Sequence, residues 1–404
     1  MRPFHATLSL VRGPEEARAR LAALDVDPDG VRQMAPKSRA VCVELASVPA
    51  ADALVIKDEF LALGAEAAIS TETYHHRRGE TAVLLLATPD QYHRILPRLS
   101  QNSAALSRLA AELPALLDAA ERRDFRVPTP RGDLILGGRP LLMGILNCTP
   151  DSFYDGGRFV DADAAVVRGL ELIEAGADVI DVGGESTRPG SEPVSVKEEL
   201  RRVLPVIERL SSRELVSVDT QKPEVARRAM AAGAAIINDV GALRAPGMAK
   251  AAAETGAAVI LMHMRGEPRT MQQNPTYTNL YPEVIEFLED RMAAATAAGV
   301  DREKIIVDPG IGFGKTVGHN LELIRDLARL RTLGRPILVG PSNKAFVGKV
   351  TGAEIGDRTP GTGAAVTAAT LAGAHILRVH DIASMRPFVE MAWAIGQGES
   401  WSSP

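Results

Sequence analysis

From residue 141 onward the chain alternates between short apolar runs and longer mixed segments, and the runs carry no polar face. They fall at 141–146, 178–182, 215–219, 235–239, 257–262, 305–308, 336–340 and 375–379. A run of that length without a polar side suits a strand buried on both faces, as in a parallel sheet. Helix-length stretches separate the runs, and a glycine recurs at the return, as in Ala175-Gly-Ala, Ala232-Gly-Ala, Thr255-Gly-Ala and Ala372-Gly-Ala. Glycine just past a helix takes a left-handed conformation without steric cost and turns the chain back. Eight parallel strands with helical returns predict a (β/α)8 TIM barrel over 141–404. A doubly wound open sheet is the alternative. It favours a Gly-x-Gly-x-x-Gly turn after its first strand, and Asn147-Cys-Thr-Pro-Asp is not one.

Residues 1–125 pattern differently and predict a small N-terminal α/β domain. Strands are expected over Phe4–Val11, Ala40–Leu45, Ala65–Ser70 and Thr81–Ala87. Helices are expected from Pro14, over Ala51–Leu63, Pro89–Leu99 and about Ser103–Arg122, with Gly64 as a stop signal. Residues 126–140 hold Pro128, Pro130, Gly132, Gly137, Gly138 and Pro140, and read as a linker with a short strand at 133–136.

Composition narrows the picture. A chain of 404 residues suits two domains, and a formal charge of −5 with interspersed signs leaves no basic stripe for nucleic acid. The first ten residues lack the apolar core of a signal peptide, and no apolar run approaches the ~20 residues of a membrane span. Cys42 and Cys148 fall in different expected domains, so a disulfide is not expected and the chain reads as a soluble cytoplasmic protein.

The chemistry collects where the runs end. In a barrel those ends share one face, the face that carries active sites. The first run opens into Asn147, Thr149, Asp151, Ser152 and Asp155, more polar groups than a helix cap needs. The others end at Asp181-Val-Gly-Gly-Glu-Ser-Thr-Arg-Pro-Gly190, Ser217-Val-Asp-Thr220, Asn238-Asp239, Met262-His263, Asp308-Pro-Gly-Ile-Gly-Phe-Gly-Lys315, Gly340-Pro-Ser-Asn-Lys344 and Arg378-Val-His-Asp381. Asp219, Asn238, Asp308 and Lys344 combine acceptors, an amide and a cation, which suits a flat heterocycle rich in N–H groups. Arg188, Arg378 and His380 form a cationic group suited to phosphate or pyrophosphate. Arg378 and His380 stand two apart and face one way on a strand. A metal-hydrolase barrel would want His-x-His after its first strand, where this chain has Asn-Cys-Thr.

Together these motifs resemble dihydropteroate synthase across 141–390, and the first domain resembles the extra domain of long bacterial and archaeal members. The resemblance implies condensation of 6-hydroxymethyl-7,8-dihydropterin diphosphate with p-aminobenzoate, releasing pyrophosphate, with Mg²⁺, in a protein that forms a homodimer. Carried over by position, it implies Asp219, Asn238, Met262, Asp308, Phe313 and Lys344 around the pterin, with Asp219, Lys344 and Arg378 catalytic. It implies Asn147, Thr187, Arg188, Arg378 and His380 at the diphosphate, with Asn147 on the metal. Phe153, Thr187, Pro189, Phe313 and Ser342 would form the aminobenzoate pocket. The chain departs after run seven, where the family has Ser-Arg-Lys-Ser and this sequence has Ser342-Asn-Lys-Ala345. Two other readings share the pterin-binding strand ends: a pterin-dependent methyltransferase barrel, which needs no diphosphate clamp, and a catalytically silent pterin-binding paralogue.

Overall fold

The computed structural model describes residues 11, 13–75, 77, 79–149, 162–186, 192–267 and 270–398. The chain forms two compact units divided between Leu117 and Asp118. In the first, strands Val41–Pro49, Glu80–Ala87 and Glu66–Ala68 make an antiparallel sheet with Glu80–Ala87 in the middle. Strict alternation of burial along Glu80–Ala87 leaves one face for the core. That face meets Ile56 and Phe60 from helix Ala50–Ala62, and Tyr92 and Ile95 from helix Pro89–Leu99. Thr88 and Gln91 close the start of the latter helix as a reciprocal capping box. The expected strand at Phe4–Val11 falls almost wholly outside the described residues.

The second unit is a barrel of eight parallel strands: β1 Leu141–Asn147, β2 Val179–Gly183, β3 Val216–Asp219, β4 Ile236–Asp239, β5 Ala258–Met262, β6 Ile305–Asp308, β7 Leu338–Val339 and β8 Ile376–Val379. Neighbours run in chain order from β1 to β6, with β8 pairing both β1 and β7. The ring closes between β6 and β7 through a parallel bridge of Val307 with Ile337, where the Val307 N–H donates to Pro336 O at 2.9 Å. Helices return between strands, as at Val196–Leu210 after β2 and Thr359–Leu371 before β8.

Two apolar layers follow from the period of two along each strand. Val259 and Leu261 of β5, Ile180 and Val182 of β2, and Leu377 and Val379 of β8 pack outward with the helices. Their alternates, Ala258 and Ile260, Val179, Ile236, Ile306, Leu338 and Ile376, form a second cluster inside the barrel. That inner cluster also holds Phe125, Val127, Leu134 and Leu136. Those four come from strands Phe125–Val127 and Leu134–Leu136, which pair antiparallel as a hairpin. The stretch read as a connector at 126–140 is therefore part of the barrel core. Its prolines and glycines build a turn, while the alternate residues Phe125, Val127, Leu134 and Leu136 supply a buried face.

Candidate functional site

The inner column of each strand is apolar where the chain enters and polar where it leaves. Along the inward parity, β1 reads Met143, Ile145, Asn147 and β2 reads Val179, Asp181, Gly183. Likewise β3 reads Ser217, Asp219, β4 Ile236, Asn238, β6 Ile306, Asp308 and β8 Ile376, Arg378. The polar residues therefore converge at the C-terminal mouth of the barrel.

The residues at the mouth interlock. Asp219 Oδ2 accepts from Arg378 Nη2 at 2.8 Å, and Asp181 Oδ2 accepts from Arg378 Nε at 2.6 Å. The same Asp181 oxygen accepts from Asn238 Nδ2 at 2.9 Å. Burial pushes the Asp219 carboxyl upward; Arg378 opposes this, and Asp181, Asp239 and Glu199 add to it. Asp308 Oδ1 accepts from the Gly310 N–H at 2.6 Å. Burial pushes its carboxyl up to about 6, against the pull of that N–H, Lys344 and Lys315. Arg378 is thus held between two carboxylates, a setting that the strand-end pattern alone did not reveal.

Phe313 lies in a small buried cluster with Val240, Met262, Met264 and Met271, the apolar wall of the mouth. Lys344 Nζ stands 4.2 Å over the Phe313 ring, a cation–π contact that brings the β7 loop to the β6 loop. Gly310 and Gly314 make the β6 loop possible: both have positive φ, at 68° and 62°. A Cβ at either would collide with a backbone oxygen, of His263 or Arg265. Lys315 anchors the same loop from beneath, with Nζ 2.9 Å from His263 Nδ1 and donating to Phe313 O at 3.0 Å. Burial brings Lys315 down to about 7, with Asp308 resisting, and drives His263 down to about 2, with Lys315 adding to the effect. His263 is thus held neutral, with Nδ1 facing Lys315 Nζ.

Ser342 Oγ and His380 Nδ1 are 2.9 Å apart, linking the β7 and β8 loops. Asn343 adopts φ of 55°, a left-handed conformation that asparagine tolerates well. Its carbonyl accepts from Arg358 Nη1 at 3.1 Å. Asn147 ends β1 beside Gly183, whose bare Cα faces Asn147 Oδ1 and Asp219 Oδ2, each 3.9 Å from where a Cβ would stand. Phe153, Thr187, Arg188 and Pro189 lie outside the described residues.

Asp239, Glu185 and Asp181 stand among the strand-end motifs by position, but three roles escaped that reading. Asp239 does not face the mouth; it accepts from the N–H groups of Gly241 and Leu243 at 2.6 and 2.8 Å and organises the turn after β4. Lys222 Nζ donates to Glu185 at 2.8 Å and to the buried Glu199 at 2.5 Å, tying the chain after β2 and β3 to helix Val196–Leu210. Asp181 is fully buried beneath the mouth. Its signal was legible: an aspartate between Ile180 and Val182, inside a strand buried on both faces, cannot be a helix cap.

A polar, charge-paired mouth on a parallel eight-stranded barrel, with an apolar wall and a buried cation, has the chemistry to hold a flat polar heterocycle. The sequence model of the family described as Pterin binding enzyme matches residues 143–380. The chain is 48% identical over 245 residues to Escherichia coli (strain K12) dihydropteroate synthase, covering 60% of this chain and 87% of that one. It is 41% identical over 390 residues to a probable bifunctional folylpolyglutamate synthase/dihydropteroate synthase of Halobacterium salinarum, covering 95% of this chain and 46% of that one. Among solved structures, it resembles Xanthomonas albilineans dihydropteroate synthase with 4-aminobenzoic acid. That match has 47% identity and a TM-score of 0.63, covering 67% of this chain and 98% of that one. The same enzyme in complex with 7,8-dihydropteroate matches at 46% identity and a TM-score of 0.58, covering 64% of this chain and 94% of that one. The chain belongs to the dihydropteroate synthase family of transferases.

Proposed function

We propose that this chain joins 6-hydroxymethyl-7,8-dihydropterin diphosphate to p-aminobenzoate, yielding 7,8-dihydropteroate and pyrophosphate. The observation that carries the reading is the distribution of free acceptors at the mouth. Arg378 occupies Asp219 Oδ2, Gly310 occupies Asp308 Oδ1, and Asp181 occupies the Asn238 nitrogen. Among the described residues nothing donates to Asp219 Oδ1, Asp308 Oδ2 or Asn238 Oδ1, which leaves them for a ring edge with several N–H donors, and Lys344 supplies the complementary donor. Phe313 and Met262 would pack against the ring.

The chemistry needs no protein nucleophile. Pyrophosphate departs with the electrons of the C–O bond, and the cation left on the pterin methylene is stabilised by the carboxylates of Asp219 and Asp308. The arylamine nitrogen then attacks that carbon and loses its proton. Asn147, Thr187, Arg188, Arg378 and His380 would take the departing phosphates, and Phe153, Thr187, Pro189, Phe313 and Ser342 the aminobenzoate. Asn147, at the end of β1, offers one neutral oxygen, a donor that suits Mg²⁺ carried on substrate phosphates. Mg²⁺ keeps several waters and takes one or two protein oxygens beside substrate phosphates. When bound there, it would neutralise charge on the leaving group.

The assembly we propose is a homodimer in the cytoplasm. Leu371 on helix Thr359–Leu371, with Phe388, Met391 and Ile395 on helix Ile382–Gln397, forms an exposed apolar face, the last three at helical spacing. No described helix is long and apolar enough to cross a membrane. The deciding assay is pyrophosphate release from the pterin diphosphate with and without p-aminobenzoate. Release that depends on the arylamine supports the transferase; pterin binding without release would instead mark a silent pterin-binding protein.

A further inference from the structure

Asp181 has no place in the reaction as drawn, yet it touches two of the residues assigned to it. Position along its strand sets its height. Asp181 pairs with Ile145 and Ser217 on the neighbouring strands, and lies two residues before Gly183, which pairs with Asn147 and Asp219 at the mouth. Asp181 is therefore below the ligand's floor. From there a single oxygen accepts from both Asn238 Nδ2 and Arg378 Nε, at 2.9 and 2.6 Å.

That oxygen decides something the asparagine cannot decide for itself. An amide can face either way, and its neighbours choose. A carboxylate accepts only, so the Asn238 nitrogen must turn down toward Asp181. The carbonyl oxygen is then the atom turned away from that carboxylate. Arg378 is fixed by the same anchor, edge-on between Asp181 and Asp219.

Fold stability does not account for the residue. Asp181 Oδ1 and the adjacent Ser217 Oγ are buried without a hydrogen-bond partner among the described residues. Unsatisfied buried polar atoms destabilise, and an apolar side chain of similar volume often serves a core better than a buried ion pair.

We propose that Asp181 is a positioning residue that sets the hydrogen-bonding polarity of the pocket: it commits Asn238 to offer its oxygen to a ligand N–H and holds Arg378 against Asp219. The proposal rests on the pterin reading and goes beyond it, because Asp181 itself never meets the ligand.

The test measures affinity for 6-hydroxymethyl-7,8-dihydropterin diphosphate by calorimetry, and KM for both substrates. The variants are Asp181→Leu, Asp181→Asn, Asn238→Ala, and each Asp181 variant combined with Asn238→Ala. Asp181 acts on the ligand through one neutral hydrogen bond at Asn238, so Asp181→Leu should weaken binding roughly 2- to 13-fold. Asp181→Asn, which keeps the shape and one acceptor, should recover part of the loss. In the Asn238→Ala background the Asp181 effect should shrink several-fold, since that hydrogen bond is gone. The KM for p-aminobenzoate should stay put, which general damage to the barrel would not allow. Should Asp181→Leu fail to fold, Asp181→Asn alone and with Asn238→Ala carries the same cycle. Strict additivity in the cycle, or wild-type affinity in Asp181→Asn and Asp181→Leu, overturns the proposal while the pterin reading stands. Failure of the unsubstituted chain to bind overturns both.

Discussion

The two ends of the barrel's inner column follow opposite rules on one sheet. At the N-terminal end, Val179, Ile236, Ile260 and Ile376 meet the hairpin residues Phe125, Val127, Leu134 and Leu136 in an apolar plug. At the C-terminal end, one or two residues further along the same inward parity, stand Asp181, Asn238, Asp219, Asp308 and Arg378. The closed end gains from burial of apolar side chains. At the open end burial pushes Asp219 and Asp308 toward protonation, and acceptors stay unfilled among the described residues. The difference teaches that strand parity fixes which residues face inward, and position along the strand fixes whether they hold the fold or meet a ligand.

The largest effect should come from the closed end. Phe125 is 4% exposed, and its ring meets His375 edge-on, with centroids 5.1 Å apart. Phe125→Ala should cost about 3–5 kcal/mol of stability by leaving a cavity. It should leave the KM for either substrate unchanged. Thermal denaturation with parallel kinetics checks this, and a raised KM at unchanged stability would blur the two ends.

The closed end also shows where the sequence was hard to read. The strands were legible because each is an apolar run bounded by turn residues, and all eight lie within two residues of their expected ends. Strand β7 has only Leu338 and Val339, since its neighbour Ile337 makes just the closing bridge. The hairpin was hidden by its own punctuation: Pro128, Pro130 and Gly132 mark a turn, while the strands flanking it are three residues each. At the open end, positions were legible and partners were not. Arg378 read as an anion clamp because its spacing to His380 is local, whereas Asp181 lies 197 residues away in sequence.

Second in size is Asp308. Asp308→Asn should weaken pterin binding roughly 10- to 150-fold through loss of a charged acceptor, without lowering the melting temperature. Its titration gives a sharper contrast. Burial raises this carboxyl from 3.8 to about 6 on folding. Its contribution to stability is fully present below pH 3.8 and is lost as pH rises to about 6, because the unfolded chain ionises first. Ligand affinity should move the other way, rising through about pH 6 as the acceptor ionises. In Asp308→Asn both trends should flatten. Persistence of either at full size would assign it to another group.

Smaller effects are expected at the β7 loop. Ala345 lacks a hydroxyl and Asn343 a charge that the family's usual loop supplies, so the KM for p-aminobenzoate should be weak and sulfonamides poor competitors. Asn343→Arg with Ala345→Ser should tighten the acceptor and leave pterin affinity alone. The gain is limited by geometry. Asn343 sits at φ of 55°, where a residue without asparagine's local hydrogen bonding is disfavoured by roughly 1–2 kcal/mol. Ala345→Ser alone should therefore recover most of the improvement. Were the single variant silent and the double effective, the charge rather than the hydroxyl would be the missing contact.

The smallest effect is the most direct probe of where the two rules meet. Ser217 lies on the inward parity of β3, one layer below Asp219, and its Oγ is buried without a partner among the described residues. By height it belongs with Asp181, and by function it could belong to either end. If it is a stability residue, an unsatisfied hydroxyl is a defect, and Ser217→Ala should be neutral or stabilising by about 1 kcal/mol. If it serves the pocket, removing it should weaken pterin binding. The position of the orphaned Asp181 Oδ1 in the same layer favours the first outcome, because neither oxygen has found the other. We expect a melting temperature equal to or slightly above wild type, with unchanged affinity for the pterin diphosphate. A loss of affinity at constant stability would move the boundary between the two ends one layer deeper into the barrel.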